Sequence, residues 1–224
     1  MPGLPGHRLH GGGSGVGVKV YPITISTARP FIQQWHYSGR CPTGKNLFFG
    51  MYVTGLSGTQ TNLFGETLYA VADYGIGVNP YQAQSLSKMA NRIIDTARLL
   101  ELKRLCRIEP KLEQYPLTQF LARCHKILKA LGYTDIVSFS DPAFGHSGGI
   151  YKAANFQYLG QTNAENHAED SEGVSRHRRL YFRFARRHGI SNDEAREQLG
   201  LRLVKTQPKD RWLLQLQRRC RRKA

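Results

Sequence analysis

The stretch from Leu99 to Ser140 constrains the fold more than any other part of the chain. Thr118–Leu131 sets Phe120, Leu121, Cys124, Ile127, Leu128 and Leu131 at three- and four-residue spacings, with Pro116 just before it and Gly132 just after. That pattern predicts an amphipathic helix with one buried stripe. Before it, LLELKRLCRI (Leu99–Ile108) alternates Leu100, Leu102 and Arg104 with Glu101, Lys103 and Leu105, which predicts a central strand carrying functional polar groups on one face. After it, Asp135–Ser140 is a short apolar run of the kind that forms a buried strand. Strand, helix and strand in succession place the chain in the α/β class.

The flanking sequence extends this frame. Val20–Ile25 predicts a first strand and Thr27–His36 a helix, with Pro30 in its first turn. CPTGKN reads as a turn, and Leu47–Thr54 and Thr67–Gly75 read as a hairpin across GLSGTQTN. Ser85–Thr96 carries Leu86, Met89, Ala90, Ile93 and Ile94 at helical spacing; Gly148–Asn155 reads as a helix and Leu180–Ala185 as a last strand of the main sheet. The order β–α–β–β–α–β–α–β–α–β gives a mixed α/β (α+β) domain with an early hairpin, not a regular doubly wound repeat. Beyond Arg186, Ser191 and Glu194 form a capping box, and Arg202–Leu216 reads as a strand pair around QPKD. The chain thus divides into a Gly- and Pro-rich disordered leader (1–18, with His7 and His10), a catalytic domain (19–187) and a basic extension (188–224).

Charge points to the partner. The chain carries +16 over 224 residues, and Arg176–Ala224 alone holds 16 Lys and Arg against 4 Asp and Glu, a net +12. A nearly balanced body with a basic C-terminal quarter suits a catalytic core with a phosphate-contacting extension; a solvated tail is the bland alternative. Cys41, Cys106, Cys124 and Cys220 form no CxxC pair and follow no secretory leader, the pattern of reduced cytosolic thiols. No apolar run approaches the ~20 residues of a membrane span, so a cytoplasmic protein is expected.

Three groups of residues carry potential chemistry. Asp141 stands at the carboxyl end of the Asp135–Ser140 strand, fixed by Pro142, with His146 between Gly145 and Gly148 and Tyr151 one turn into the next helix. A carboxylate, an imidazole and a phenol there suit base, shuttle and acid, or else a turn, a solvent histidine and a core tyrosine. Trp35–His36–Tyr37–Ser38 sets polar groups beside a Trp, and His36 with Asp141 or His146 makes a conceivable metal set without a ligand-spacing motif. Arg104, on the central strand, pairs either with Glu101 or Glu109 or with a substrate phosphate. Arg176, Arg178 and Arg179 precede Tyr181, Phe182 and Phe184, cations interleaved with aromatics as in nucleic-acid contact, although the aromatics also suit a sheet core.

Together WHYSG, LLELKRL and SDPAFGHSGGIYKAANFQYLG resemble the Mom family of phage DNA-modification proteins, from about Tyr21 to KDRW near Trp212. The resemblance implies a Gcn5-related acyltransferase-like fold with a mixed central sheet. It implies conversion of adenine in double-stranded DNA to its N6-carbamoylmethyl derivative, which blocks host restriction. By position, His36, Tyr37, Arg104, Asp141 and Tyr151 would be catalytic, and Ser38, His146, Ser147 and Asn155 would bind substrate. Arg176, Arg178, Arg179, Lys209 and Arg211 would contact DNA. Acetyl-CoA or another small acyl or aminoacyl donor is implied, with a bound iron as an open alternative. One departure stands out. IEPKLEQYPLTQFL replaces the glycine-rich pyrophosphate loop, and no glycine occurs between Gly77 and Gly132. An ordinary CoA-dependent N-acetyltransferase and a non-catalytic DNA-binding protein are the rival readings.

Overall fold

The computed structural model describes residues 17–54, 60–77, 79–109 and 111–216. In chain order the first elements are Val18–Ile23 (β1), Ile25–Trp35 (α1), Asn46–Thr54 (β2), Glu66–Gly75 (β3), Gln82–Ala90 (α2), Leu99–Arg107 (β4), Leu117–Ala130 (α3) and Asp135–Ser140 (β5). Then follow Gly149–Ala153 (α4), Gln157–Gln161 (β6), Asn166–Glu169 (β7), Ser175–Arg176 (β8), Arg179–His188 (α5), Asn192–Gln198 (α6), Arg202–Lys205 (β9) and Asp210–Gln215 (β10). Residues 1–16, most of the expected disordered leader with its two histidines, lie outside the described residues, as does the closing RRCRRKA, while Val18 at the leader's expected end already pairs in β1.

Seven strands form the main sheet in the order β1-β2-β3-β4-β5-β10-β6. Every neighbouring pair is antiparallel except β4 and β5, which α3 joins as the crossover that a parallel pair requires. Phe120, Leu121, Cys124 and Leu128 of α3 pack on one face against Phe49, Tyr74, Leu102 and Ile136. Opposite them, Ala28, Phe31 and Ile32 of α1 cover Phe48, Leu68 and Val71, while Ala83 and Leu86 of α2 cover Leu99, Val137 and Leu213.

Two features open this sheet at its centre. The β4–β5 ladder runs from Leu99↔Asp135 to Leu102↔Ser138 and stops, while β4 continues along β3 as far as Arg107. At the same point Asp73 faces Arg104 and Tyr74 faces Leu102, so Lys103 is an extra residue on β4. A bulge of this kind bends the strand and raises its twist. Beyond Leu102 and Ser138 the two strands part and leave a cleft between them.

The bulge also overturns a reading made from alternation. Counting by twos from Leu100 sets Arg104 on the α3 face, but the extra residue inverts the phase. Leu105 joins Leu100 and Leu102, whereas Arg104 turns with Asp73 and Cys106 toward α1. Its guanidinium donates to the carbonyls of Arg40 (3.1 Å) and Lys103 (2.7 Å), and to neither of the expected partners, Glu101 and Glu109.

Residues 162–206 are an insertion between β6 and β10. They form a second sheet, β8-β7-β9, with α5 and α6 packed around Ala168, Tyr181, Ala185 and Ala195. Here two expectations fail. Leu180–Ala185 is helix α5, because Tyr181, Phe184 and Ala185 share one helical face while Leu180 and Phe182 stay exposed. The two strands on either side of QPKD do form, but not as a hairpin: β9 pairs with β7, and β10 enters the main sheet between β5 and β6. The capping box at Ser191 and Glu194 is present.

Candidate active site

The central cleft holds about 440 Å³. One wall is the end of α1, with Trp35, His36 and Tyr37; another is β4, with Lys103 and Arg107. The loop after β5 supplies His146 and Ser147, and α4 supplies Tyr151.

Asp141 builds that loop. Its backbone is extended (φ −109°, ψ 103°), as the following Pro142 requires. Its carboxylate accepts from the Ala143 amide (3.2 Å) and pairs with Lys209 Nζ (3.0 Å), and its carbonyl accepts the His146 amide (3.3 Å). Gly145 and Gly148, both at φ +74°, then turn the chain toward α4. At Gly148 only glycine fits, since a Cβ would lie 2.2 Å from Cζ2 of Trp212. Trp212 is fixed in turn: its Nε1 donates to Ser140 Oγ (2.9 Å) and its ring stacks on Tyr151 (5.9 Å, 29°). The loop, β10 and α4 are therefore locked together through one indole.

His36 caps the carboxyl end of α1 and is buried. The Ser38 amide donates to its Nδ1 (3.1 Å), and the Ser38 hydroxyl lies 2.9 Å from the same nitrogen. Nδ1 is thus an acceptor, and the neutral ring carries its proton on Nε2. Burial, reinforced by Arg104 and His146, pushes the pKa down to about 4. At neutral pH His36 is an uncharged hydrogen-bond donor.

Tyr151 lies at the fork itself. The Ser138 side chain lies beside its hydroxyl, and Ser138 Oγ donates to Leu102 O (2.9 Å), the last paired position of β4 and β5. Burial raises the phenol's pKa, so the proton stays on at neutral pH.

The mouth is aromatic. The Tyr37 ring lies 4.3 Å from His36, 4.5 Å from Phe144 and 4.9 Å from His146, yet Tyr37 is 50% and Phe144 58% exposed. Deeper in, the wall is cationic. Arg107 pairs with Glu109 (3.0 Å), but its Nε is buried without a partner, and α3 begins at Leu117 on the cleft wall with no side-chain cap. These groups fit an anionic portion of a donor molecule despite the absent glycine loop. Asp73, behind β4, is fully buried with both carboxylate oxygens unpartnered; burial raises its pKa to about 7 against the pull of Lys103 and Arg104.

The cleft thus gathers His36, Tyr37, His146, Ser147 and Tyr151, with Ser38, Asp141 and Arg104 bonded around it. Asn155 lies apart, at φ +63° beside a second groove with His125, Lys126 and Lys129. Arg176 pairs with Asp170, and Arg211 donates to Met89 Sδ, whereas Arg178 and Arg179 are exposed at the start of α5. Among the described residues no three His, Cys, Asp or Glu side chains are arranged to hold a metal ion. With Nδ1 of His36 bonded to Ser38 and Asp141 paired to Lys209, the suspected His36–Asp141–His146 set does not fit an iron. Cys41, Cys106 and Cys124 are free thiols. Sequence reasoning missed Lys103, Arg107 and Phe144; only the bulge on β4 and the turn after Asp141 bring them to the cleft.

Among solved structures, NAA60 of Arabidopsis thaliana in complex with acetyl-CoA is similar at a TM-score of 0.52 and 8% identity, over 89% of this chain and 98% of that one. The ribosomal-protein-S18-alanine N-acetyltransferase of Escherichia coli is similar at 0.47 and 8%, over 92% and 98%. The spermidine/spermine N-acetyltransferase SpeG of Vibrio cholerae is similar at 0.46 and 8%, over 89% and 92%. A search of curated proteins by sequence finds no match. The fold is that of the Gcn5-related acetyltransferases, a mixed sheet parted between its two parallel strands. The family is narrower than the fold: the model of the Mom protein family matches residues 17–224, cleft and insertion included, and this chain belongs to that family.

Proposed function

We propose that this protein is a transferase that converts adenine in double-stranded DNA to its N6-carbamoylmethyl derivative and so shields the DNA from host restriction enzymes. The observation that carries the reading is the cleft at the β4–β5 fork, where an uncharged His36 and a protonated Tyr151 stand behind an exposed aromatic mouth.

Adenine's exocyclic amine is a weak nucleophile held inside the duplex stack, so the base must leave the stack at a cost of a few kcal/mol. A flat ring entering the cleft meets Tyr37, Phe144 and His146, whose faces offset that cost at roughly 1–3 kcal/mol per stacked base. His36 Nε2–H then suits an acceptor on the base edge or on the donor. Tyr151 suits the proton of the leaving group, because a phenol held protonated by burial donates only when a stronger base forms beside it. Asp141 acts by holding the loop, through the Ala143 amide and its ion pair with Lys209. The carbamoylmethyl group is bonded through its methylene and brings its own amide nitrogen, so acetyl transfer from acetyl-CoA does not form it. The donor must carry a two-carbon unit with that nitrogen and a leaving group, an aminoacyl-type compound whose anionic part Lys103, Arg107 and the first amides of α3 would hold. Arg176, Arg178, Arg179, Lys209 and Arg211 are the contacts proposed for the DNA backbone.

Cells expressing Tyr151→Phe, His36→Phe or the wild type distinguish these roles. Wild-type genomic DNA should resist restriction enzymes that are blocked by adenine adducts, and each variant should lower adduct formation on the order of 10²-fold or more. Adduct levels in Tyr151→Phe equal to wild type would remove the phenol from the chemistry.

A further inference from the structure

Helix α5 carries a charge pattern that its own stability does not explain. At 100° per residue, Tyr181, Phe184 and Ala185 define the buried face, and Arg179, Arg183, Arg186 and Arg187 fall within a sector about 100° wide on the opposite side. All four are exposed, and among the described residues none has an ion pair. The first turn holds no acid, so Arg178 and Arg179 oppose the helix dipole, and Arg179/Arg183 and Arg183/Arg187 set like charges four apart. Four of the insertion's seven acids are engaged elsewhere: Asp170 pairs with Arg176, Glu169 with Arg202 and His167, Asp193 with Arg196, and Glu194 caps Ser191. Arg186 and Arg187 in the last turn suit the helix dipole, but the basic first turn and the two like-charge pairs do not, and the stripe as a whole makes sense against a polyanion.

The insertion also stands in the right place. Its two connecting segments run side by side, with the Thr162 amide bonded to Lys209 O (2.8 Å) and the Thr206 amide to Glu165 O (2.7 Å), as a ribbon. That ribbon is rooted at Asp210, which faces Gln161 on one side and Ser140 on the other, and Lys209 grips Asp141. The base of the insertion therefore touches the loop that carries His146 and Ser147.

We propose that residues 162–206 form an arm that grips the phosphate backbone of duplex DNA through Arg179, Arg183, Arg186 and Arg187, anchoring the duplex beside the cleft. This rests on the DNA-modification reading and adds the surface that holds the substrate.

The test measures anisotropy of a labelled duplex against salt for the full chain and for R179Q/R183Q/R186Q/R187Q. Each lost phosphate contact should lower the slope of log affinity against log salt by about 0.9, so the quadruple variant should lose about 3.6 and R183Q alone about 0.9. Between about 50 and 200 mM salt those four contacts correspond to a loss of about 150-fold in wild-type affinity that the variant no longer shows. The matching four-lysine variant should keep the slope, since charge sets it; its loss there would overturn the argument. If the glutamine variant binds with the wild-type slope while wild-type cells still carry modified adenine, the arm is wrong and the functional reading stands. A wild type that neither binds duplex nor modifies DNA overturns both.

Discussion

Gly148 is the position at which the cleft is most sensitive to a single added carbon. Alanine there incurs two separate costs. The backbone stands at φ +74°, a left-handed conformation that costs an L side chain about 1–2 kcal/mol. The new Cβ would also fall 2.2 Å from Cζ2 and 2.6 Å from Cε2 of Trp212. The indole cannot retreat freely, because its Nε1 bond to Ser140 and its stack on Tyr151 hold it in place. Overpacking of a buried ring costs about 1–3 kcal/mol, so Gly148→Ala should lose about 2–5 kcal/mol in total. Gly145 is the internal control: it shares φ +74°, but nothing lies within 4 Å of its would-be Cβ, so Gly145→Ala should lose only the backbone part. Urea denaturation followed by tryptophan fluorescence reads both, since the chain's two tryptophans, Trp35 and Trp212, flank the site. Equal losses in the two variants would refute the packing argument.

Other expectations concern protons and the loop. Asp73 binds a proton in the folded state that the unfolded chain releases, so its contribution is full below the unfolded pKa near 3.8 and is lost as pH rises through about 7. Asp73→Asn should therefore gain about 2.5 kcal/mol relative to wild type between pH 5 and 8, measured by urea titration at each pH; an advantage that does not change with pH contradicts this. His125 is the opposite case: burial holds it neutral with a pKa of about 4, so stability is full above 6.5 and falls as pH drops through 4. His125→Phe, set between Tyr74 and Phe156, should remove about 3 kcal/mol of that acid loss, read from the pH at which the fold melts. Asp141→Asn keeps the Ala143 cap but loses the Lys209 charge, and should lower adenine modification while leaving duplex binding within about threefold; binding lost in parallel would make Asp141 a docking residue.

What the sequence could tell depended on how local each cause was. Helix α3 and strand β5 follow from spacing and end signals carried within their own residues, and both form within a residue of the expected bounds. The loop after Asp141 was legible because Pro142 and two glycines specify it chemically. Arg104 was placed on the wrong face because a bulge depends on the neighbouring strand, and no count along β4 alone detects it. LYFRFA alternates like a strand and spaces like a helix; the choice is made by Ala168, Ala195 and Leu199, which lie outside the segment. The position of β10 between β5 and β6 is likewise a pairing of segments distant in the chain, Asp210 with Ser140 on one side and with Gln161 on the other, invisible to local pattern. The aromatic mouth went unseen for the same reason: Tyr37 and Phe144 meet only in three dimensions.

The most direct test is mass spectrometry of nucleosides from DNA of cells expressing the full chain, beside cells expressing Tyr151→Phe. The account predicts a deoxyadenosine heavier by one carbamoylmethyl group on the exocyclic nitrogen in the first sample, and a level lower on the order of 10²-fold in the second. Unmodified deoxyadenosine in both, with the wild-type chain folded and binding coenzyme A, would contradict it and identify an N-acetyltransferase acting on another amine.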